Sequence, residues 1–273
     1  MPASDPTLTN PTDVQDAIRG LKVGKAPGPD GIPNRALKHL PLSAVSLLVV
    51  LFNAIFRTQH FPAAWKHALV FSILKPGKDP ALSSSYRPIS LLDKIGKLFE
   101  KILLSRILCY LSGSGLLRDD QFGFSPKHCT AIQLARLVER VSKNFYEKRL
   151  TGAVFLDVVK AFDTVRVDGL LYKITILNFP SYLVKTISSY LKGRTFDTSY
   201  QTTTSASRRM GAGVAQGGII SPILFSLYVN DMPSPSGHVE LALSAGDTAV
   251  IATSLQRALL VKYLEIYLSD LER

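Results

Sequence analysis

Apolar positions along the chain switch repeatedly between a helical period and a strand period. Val14, Ile18 and Leu21 follow Thr12-Asp13-Val14-Gln15, a capping-box pattern, and predict a first helix. Further helices are expected over Asn34–His39 and Leu42–Thr58, then a strand over Leu69–Leu74 and a turn over Lys75–Pro80. Asp93 is placed to cap a helix whose apolar stripe is Ile95, Leu98, Phe99, Ile102 and Leu103, with Lys94, Lys97, Lys101 and Arg106 as its wet face. A long amphipathic helix is expected over Thr130–Tyr146, and helices follow from Asp168 and over Ser181–Lys192, the latter stopped by Gly193. The run Ala153–Leu156 reads as a strand ending at Asp157, and Phe196–Tyr200 and Met210–Ala215 read as strands. Ser221-Pro222 opens an apolar, buried helix over Ile223–Met232. Two apolar runs, Val239–Leu243 and Ala249–Ala252, flank Ser244-Ala245-Gly246-Asp247 and predict a β-hairpin whose turn presents Asp247. Leu255–Arg273 closes the pattern as an amphipathic helix, so the layout is α+β, with helices packed on an antiparallel sheet.

Asp157 and Asp247 thus sit at strand tips, where two carboxylates suit a two-metal phosphoryl-transfer site, because hard Mg²⁺ ions take oxygen ligands. A solvated turn aspartate is the plainer reading of each. Gly24–Pro33 holds three Gly and three Pro and must be a fixed-shape loop. With Lys22 and Lys25 it is either a seat for a phosphate backbone or an ordinary surface connection. Lys75, Lys78 and Arg87 place three cations around one turn, which suits a triphosphate or a solvated hairpin.

Composition narrows this picture. At 46% hydrophobic residues the 273-residue chain supports a sizeable core and is not generally disordered. A net charge of +11 points to an acidic partner, nucleic acid first, against the alternative of a basic solvated surface. Cys109 and Cys129 form neither a metal-ligand spacing nor a disulfide framework, so a reducing compartment is expected. No secretory signal is visible, and the longest apolar stretch, Ala44–Phe56, is too short to span a bilayer and contains Asn53. The expected location is intracellular without a membrane, nucleus and cytoplasm not being distinguished. Repeats and low-complexity segments are absent from the sequence, and its basic residues are scattered.

Five segments in a particular order add an identity to the pattern. They are Gly24-Lys25-Ala26-Pro27-Gly28-Pro29-Asp30-Gly31; Lys75-Pro76-Gly77-Lys78-Asp79 leading to Tyr86-Arg87-Pro88-Ile89-Ser90-Leu91; Gln121-Phe122-Gly123-Phe124; Phe155-Leu156-Asp157-Val158 through Lys160-Ala161-Phe162-Asp163; and Gln216-Gly217 through Ser221-Pro222-Ile223-Leu224-Phe225. On these segments the chain, from about Val14 to Arg273, resembles the reverse transcriptase domain of non-LTR (LINE-type, jockey-like) retrotransposons. The resemblance implies a right-hand polymerase: residues 1–11 a lead-in, 12–150 fingers, and 151–273 a palm that stops before the primer grip and thumb. It implies that Asp157, Asp247 and the Val158 backbone bind two Mg²⁺, that Phe162 screens the sugar 2′ position, that Gln216 and Gly217 lie against the incoming nucleotide and template, and that Lys75 and Arg87 hold the triphosphate. The partners implied are an RNA template, a DNA primer and deoxynucleoside triphosphates, joined by nucleotidyl transfer. The oligomeric state is left open.

The chain also departs from the family pattern. The hairpin expected as aromatic-Ala-Asp-Asp reads Ser244-Ala245-Gly246-Asp247, so Gly246 replaces the aspartate that would join Asp157 in holding both metals. Strand alternation is expected to point Asp247 to the opposite face from position 246, so that it substitutes poorly. Ser125 stands in place of an Arg, Arg166 in place of a Trp whose burial would leave a charge in need of a partner, and Ser244 in place of an aromatic. Weak metal binding and severe loss of polymerase activity follow as expectations. So does an uncovered apolar palm surface, which would limit solubility. The alternatives are a non-catalytic nucleic-acid-binding module and a decayed pseudogene product.

Overall fold

The computed structural model describes residues 5–118, 120–121, 130–200, 203–235, 237–244 and 246–272. Its chain divides into two compact units, one of residues 1–114 with 162–221, the other of 115–161 with 222–273.

The first unit holds helices α1 (Pro11–Arg19), α2 (Asn34–Lys38) and α3 (Leu42–Thr58), strands β1 (His67–Leu74) and β2 (Tyr86–Leu91), and the long helix α4 (Lys94–Ser114). Between the second unit's α5 (Thr130–Tyr146) and β3 (Leu150–Asp157) and the later elements, the chain returns to it with α6 (Val167–Ile176), α7 (Ser181–Leu191) and strands β4 (Thr195–Tyr200), β5 (Thr203–Thr204) and β6 (Arg208–Arg209). The sheet order is β2-β1-β4-β5 with β6 also on β4, and β1 runs parallel to β4 while the other pairs are antiparallel. The core is aromatic. Val45, Leu48, Phe52, Ile55 and Phe56 form one buried stripe on α3, at the spacing of a helix face. Phe56 meets Phe99 at 5.0 Å, and Phe61 meets Tyr190 edge-on at 5.1 Å.

The second unit adds α8 (Ser221–Tyr228), β7 (Val239–Ser244), β8 (Asp247–Ser254) and α9 (Arg257–Leu271). Its sheet is antiparallel in the order β3-β8-β7. Side chains alternate between its faces. Val239, Leu241, Val250 and Ala252, with Val154 and Leu156, pack on Leu260, Leu264 and Tyr267 of α9. Gly152 allows that approach, since a Cβ there would lie 2.4 Å from Leu260 Cδ2. Ala242, Ala249 and Ile251 on the other face pack under Leu137 of α5. Asn144 ties α5 to the sheet by donating to Thr151 Oγ1 at 2.8 Å and Thr253 Oγ1 at 3.0 Å. Among the described residues no helix is long and apolar enough to cross a membrane.

Several expected elements differ in detail. The capping box of α1 is Asn10 with Asp13, because Pro11 fits the first helical turn and Asn10 accepts from Asp13 N at 2.9 Å. Met210–Ala215 is not a strand. Gly213 has φ +91°, and the backbone bonds go elsewhere, from Met210 N to Arg194 O, Gly213 N to Val165 O and Val214 N to Phe162 O. The helix expected to reach Met232 ends at Tyr228, and Asn230 instead bonds Leu116 O and Arg118 N. Arg166 is exposed, so its charge is solvated and needs no partner. The expected wet face of α4 is not wet throughout: Lys94 is only 5% exposed. Asp93, the residue before α4, accepts from Asp30 N at 3.0 Å through its carboxylate.

Candidate active site

The antiparallel register of β3 and β8 sets Asp157 directly opposite Asp247. Directly opposed residues share a face, so both carboxylates point the same way. Gly246 belongs to the turn that precedes Asp247, the first residue of β8. Both aspartates are exposed and line one cavity of about 300 Å³ with Phe155, Gln133, Leu134 and Leu137. Phe155 lies two residues before Asp157 on the same face and is 76% exposed. At Gly246 the carbonyl accepts from Val158 N at 3.2 Å, and the Val158 carbonyl accepts from Ala161 N at 3.2 Å.

Lys75 and Arg87 both stand on the β1–β2 hairpin of the first unit. Arg87 pairs with Ile73, and Lys75 N closes the hairpin on Ser85 O at 2.8 Å. Lys75 Nζ donates to Ser84 O at 3.0 Å, and Arg87 is exposed. Neither lines the cavity of about 320 Å³ where Gln216 stands with Ser90, Pro88, Asp163 and Arg209. Gln216 is held from β2, its carbonyl accepting from Ser90 N at 2.8 Å. Gly217 has φ +132°, and a Cβ there would lie 2.5 Å from Ser90 O. Phe162 is half-buried and its carbonyl accepts from Val214 N at 2.8 Å.

A buried carboxylate fixes the same loop from behind. Glu100 on α4 is 2% exposed, and its Oε2 accepts from Ile219 N at 2.6 Å and Ile220 N at 3.3 Å. Burial pushes its carboxyl above the ordinary range, opposed by the Arg194 charge and these two backbone bonds. Arg194, itself buried, lies over the Tyr190 ring at 4.7 Å. Gly218 fits between these groups: a Cβ would come 2.6 Å from both Tyr190 Oη and Ser221 Oγ.

Residues 73–273 match the family model described as reverse transcriptase (RNA-dependent DNA polymerase). The chain belongs to the reverse transcriptase family. It is a reverse transcriptase domain of the non-LTR, jockey-like type. It is 38% identical over 249 residues to a probable RNA-directed DNA polymerase from transposon BS of Drosophila melanogaster, covering 89% of this chain and 27% of that protein. Against the RNA-directed DNA polymerase from mobile element jockey, identity is 38% over 261 residues in Drosophila funebris, covering 93% of this chain and 28% of the relative. In Drosophila melanogaster the figure is 36% over 280 residues, covering 100% of this chain and 30% of the relative. The chain thus spans under a third of the length of these curated relatives.

Two residues of the reverse transcriptase domain, Arg209 and Gln133, escaped the sequence reading, and a third, Asp163, entered it only as part of a motif. Asp163 and Arg209 line the Gln216 cavity, and Gln133 lines that of Asp157 and Asp247. Gln133 is 5% exposed and, among the described residues, neither amide atom has a hydrogen-bond partner, an arrangement that is costly in a closed interior. A glutamine on an otherwise apolar stretch of α5 was its only signal. Gln121 forms an isolated bridge with Leu243, while Phe122–Phe124 and Ser125 lie outside the described residues.

Proposed function

We propose that this chain is the fingers (12–150) and palm (151–273) of an RNA-directed DNA polymerase, with nucleotidyl transfer impaired by Gly246. The observation behind this reading is the opposed pair Asp157 and Asp247 at the end of β3 and β8, beside a turn residue that has no side-chain oxygen. Lys75 and Arg87 would hold the triphosphate of the incoming nucleotide, Gln216 and Gly217 would lie against it, and Phe162 would screen its 2′ position. An RNA template and a DNA primer are the proposed partners.

Mg²⁺ takes oxygen ligands in near-octahedral geometry. The oxygens available are the carboxylates of Asp157 and Asp247 and the carbonyl of Val158, which already accepts from Ala161 N. Two ions would need a further carboxylate at position 246, and glycine supplies none. Among the described residues no group of three or more His, Cys, Asp or Glu is placed to hold a metal. The residues present do not fit a two-ion centre.

Primer extension on an RNA template with Mg²⁺ tests the reading. The proteins are this chain, Gly246→Asp, and Gly246→Asp combined with Asp157→Ala. The backbone at Gly246 accepts a side chain once Ala161 yields slightly, its Cβ being 3.2 Å from the new one. Incorporation is expected in Gly246→Asp alone. Near-normal incorporation by the unaltered chain would sink the reading. Silence of all three folded proteins would favour the second reading, non-catalytic nucleic-acid binding, for which the net charge of +11 argues. That reading expects RNA binding that weakens steeply with salt and no incorporation.

A further inference from the structure

The segment that runs from β2 into α4 holds the Gln216 loop at two points. Ser90, three residues after Arg87 on β2, donates from its N–H to Gln216 O at 2.8 Å. Glu100, on the second turn of α4, accepts through Oε2 from Ile219 N at 2.6 Å and Ile220 N at 3.3 Å. Only Gly217 and Gly218 lie between these anchors. Gly217 is flush against Ser90 O, Gly218 closes a turn by donating to Ala215 O at 2.9 Å, and neither has free room for a Cβ. Gly217 is exposed and Gln216 half-buried, while Gly218 and Ile220 are buried. The part of the loop open to a ligand is thus fixed by the part that is closed to it.

Packing alone does not call for a carboxylate at position 100. The other buried residues of α4 around it, Leu98, Phe99, Ile102 and Leu103, are apolar, and an aliphatic side chain there would avoid the desolvation that Glu100 carries. Arg194 and Lys97 attract the carboxylate and offset part of that cost, Arg194 being itself 1% exposed. What the carboxylate adds is one oxygen aimed at two successive amides. They stand just ahead of the N-terminus of α8, where negative charge is favoured.

We propose that Glu100 is a positioning residue for the incoming nucleotide: through the Ile219 and Ile220 amides it fixes Gln216 and Gly217 relative to Arg87. The proposal rests on the reading of Arg87, Gln216 and Gly217 as nucleotide contacts, and adds a residue that acts through them without touching the nucleotide. Arg87, Ser90 and Glu100 belong to one continuous segment, so the group that grips the triphosphate and both anchors of the loop share one support. A carboxylate drawn back from the amides releases the far end of the loop and leaves the Ser90 anchor in place.

The test compares Glu100→Asp, Glu100→Gln and Ile174→Ala, each in the full chain carrying Gly246→Asp. Glu100→Asp keeps the charge near Arg194 and withdraws the acceptor by one methylene. Glu100→Gln keeps the reach and an acceptor oxygen and loses the charge. Ile174→Ala opens the core at a fully buried position on α6 and serves as a control for destabilisation. In primer extension with the deoxynucleotide concentration varied, the nucleotide KM should rise about tenfold or more in Glu100→Asp with kcat little changed, and should stay near the parent value in Glu100→Gln and the control. Equal KM in all the proteins, or the same rise in the control, overturns the proposal. Hydrogen exchange read by mass spectrometry gives a second measurement that needs no activity. Residues 214–221 should exchange faster in Glu100→Asp than in the parent and Glu100→Gln proteins, while residues 181–191 of α7 keep their rates. Unchanged exchange at 214–221 in Glu100→Asp overturns the proposal whichever way the extension falls, whereas silence of every protein in extension overturns the polymerase reading.

Discussion

The Gln216–Ser221 loop and the β7–β8 turn are both short segments at candidate sites, yet they are held in opposite ways. The loop is over-determined: Ser90 fixes Gln216, Glu100 fixes Ile219 and Ile220, and Gly217 and Gly218 occupy spaces that admit no Cβ without displacement. The turn is bound lightly, by a 3.2 Å bond from Val158 N to Gly246 O and by exposed aspartates at the strand end. A side chain lost from the turn removes a ligand at little cost to folding. A change in the loop disturbs buried polar groups. The departure from the family pattern at position 246 therefore lies in the more tolerant of the two segments.

Substitutions at three positions separate the two regions. The largest stability effect is expected from Glu100→Ala, which leaves two backbone N–H groups of the loop without their acceptor, at a cost of about 3 kcal/mol by denaturant unfolding. The same group predicts a pH dependence. Its folded pKa is raised above the ordinary 4.5, so its contribution is fully present below that value and is lost as pH rises through the folded pKa. Glu100→Gln should flatten that part of the stability profile, and an unchanged profile would remove Glu100 from the account.

Gly217→Ala comes next. Its φ of +132° and the 2.5 Å approach to Ser90 O should cost about 1–3 kcal/mol, read as a lowered melting temperature. A neutral result would mean that the loop is less constrained than the turn. The smallest effect belongs to Asp157→Asn, which should change stability by less than about 0.5 kcal/mol and in the stabilising direction, because like charges directly opposed on a sheet repel. Salt should erase that gain. A marked loss of stability would show that the carboxylate end is structural after all.

Much of this was legible in the chain. The bounds of α3 and α5 follow from apolar periodicity, and the order of five motifs points to the reverse transcriptase family. The absence of an oxygen at Gly246 is a property of the sequence alone. Local periodicity, however, reports which face of an element is apolar, and says little about which distant residue lies across from it. Pairing between β3 and β8 decided that Asp157 and Asp247 share a face. Packing of α4 decided that Glu100, outwardly one more charge on a helix, is buried behind the Gln216 loop, and that lysines expected in solvent line a cavity with the Gly-Pro loop. Those outcomes depend on contacts between residues many tens of positions apart, which form only when the chain closes on itself.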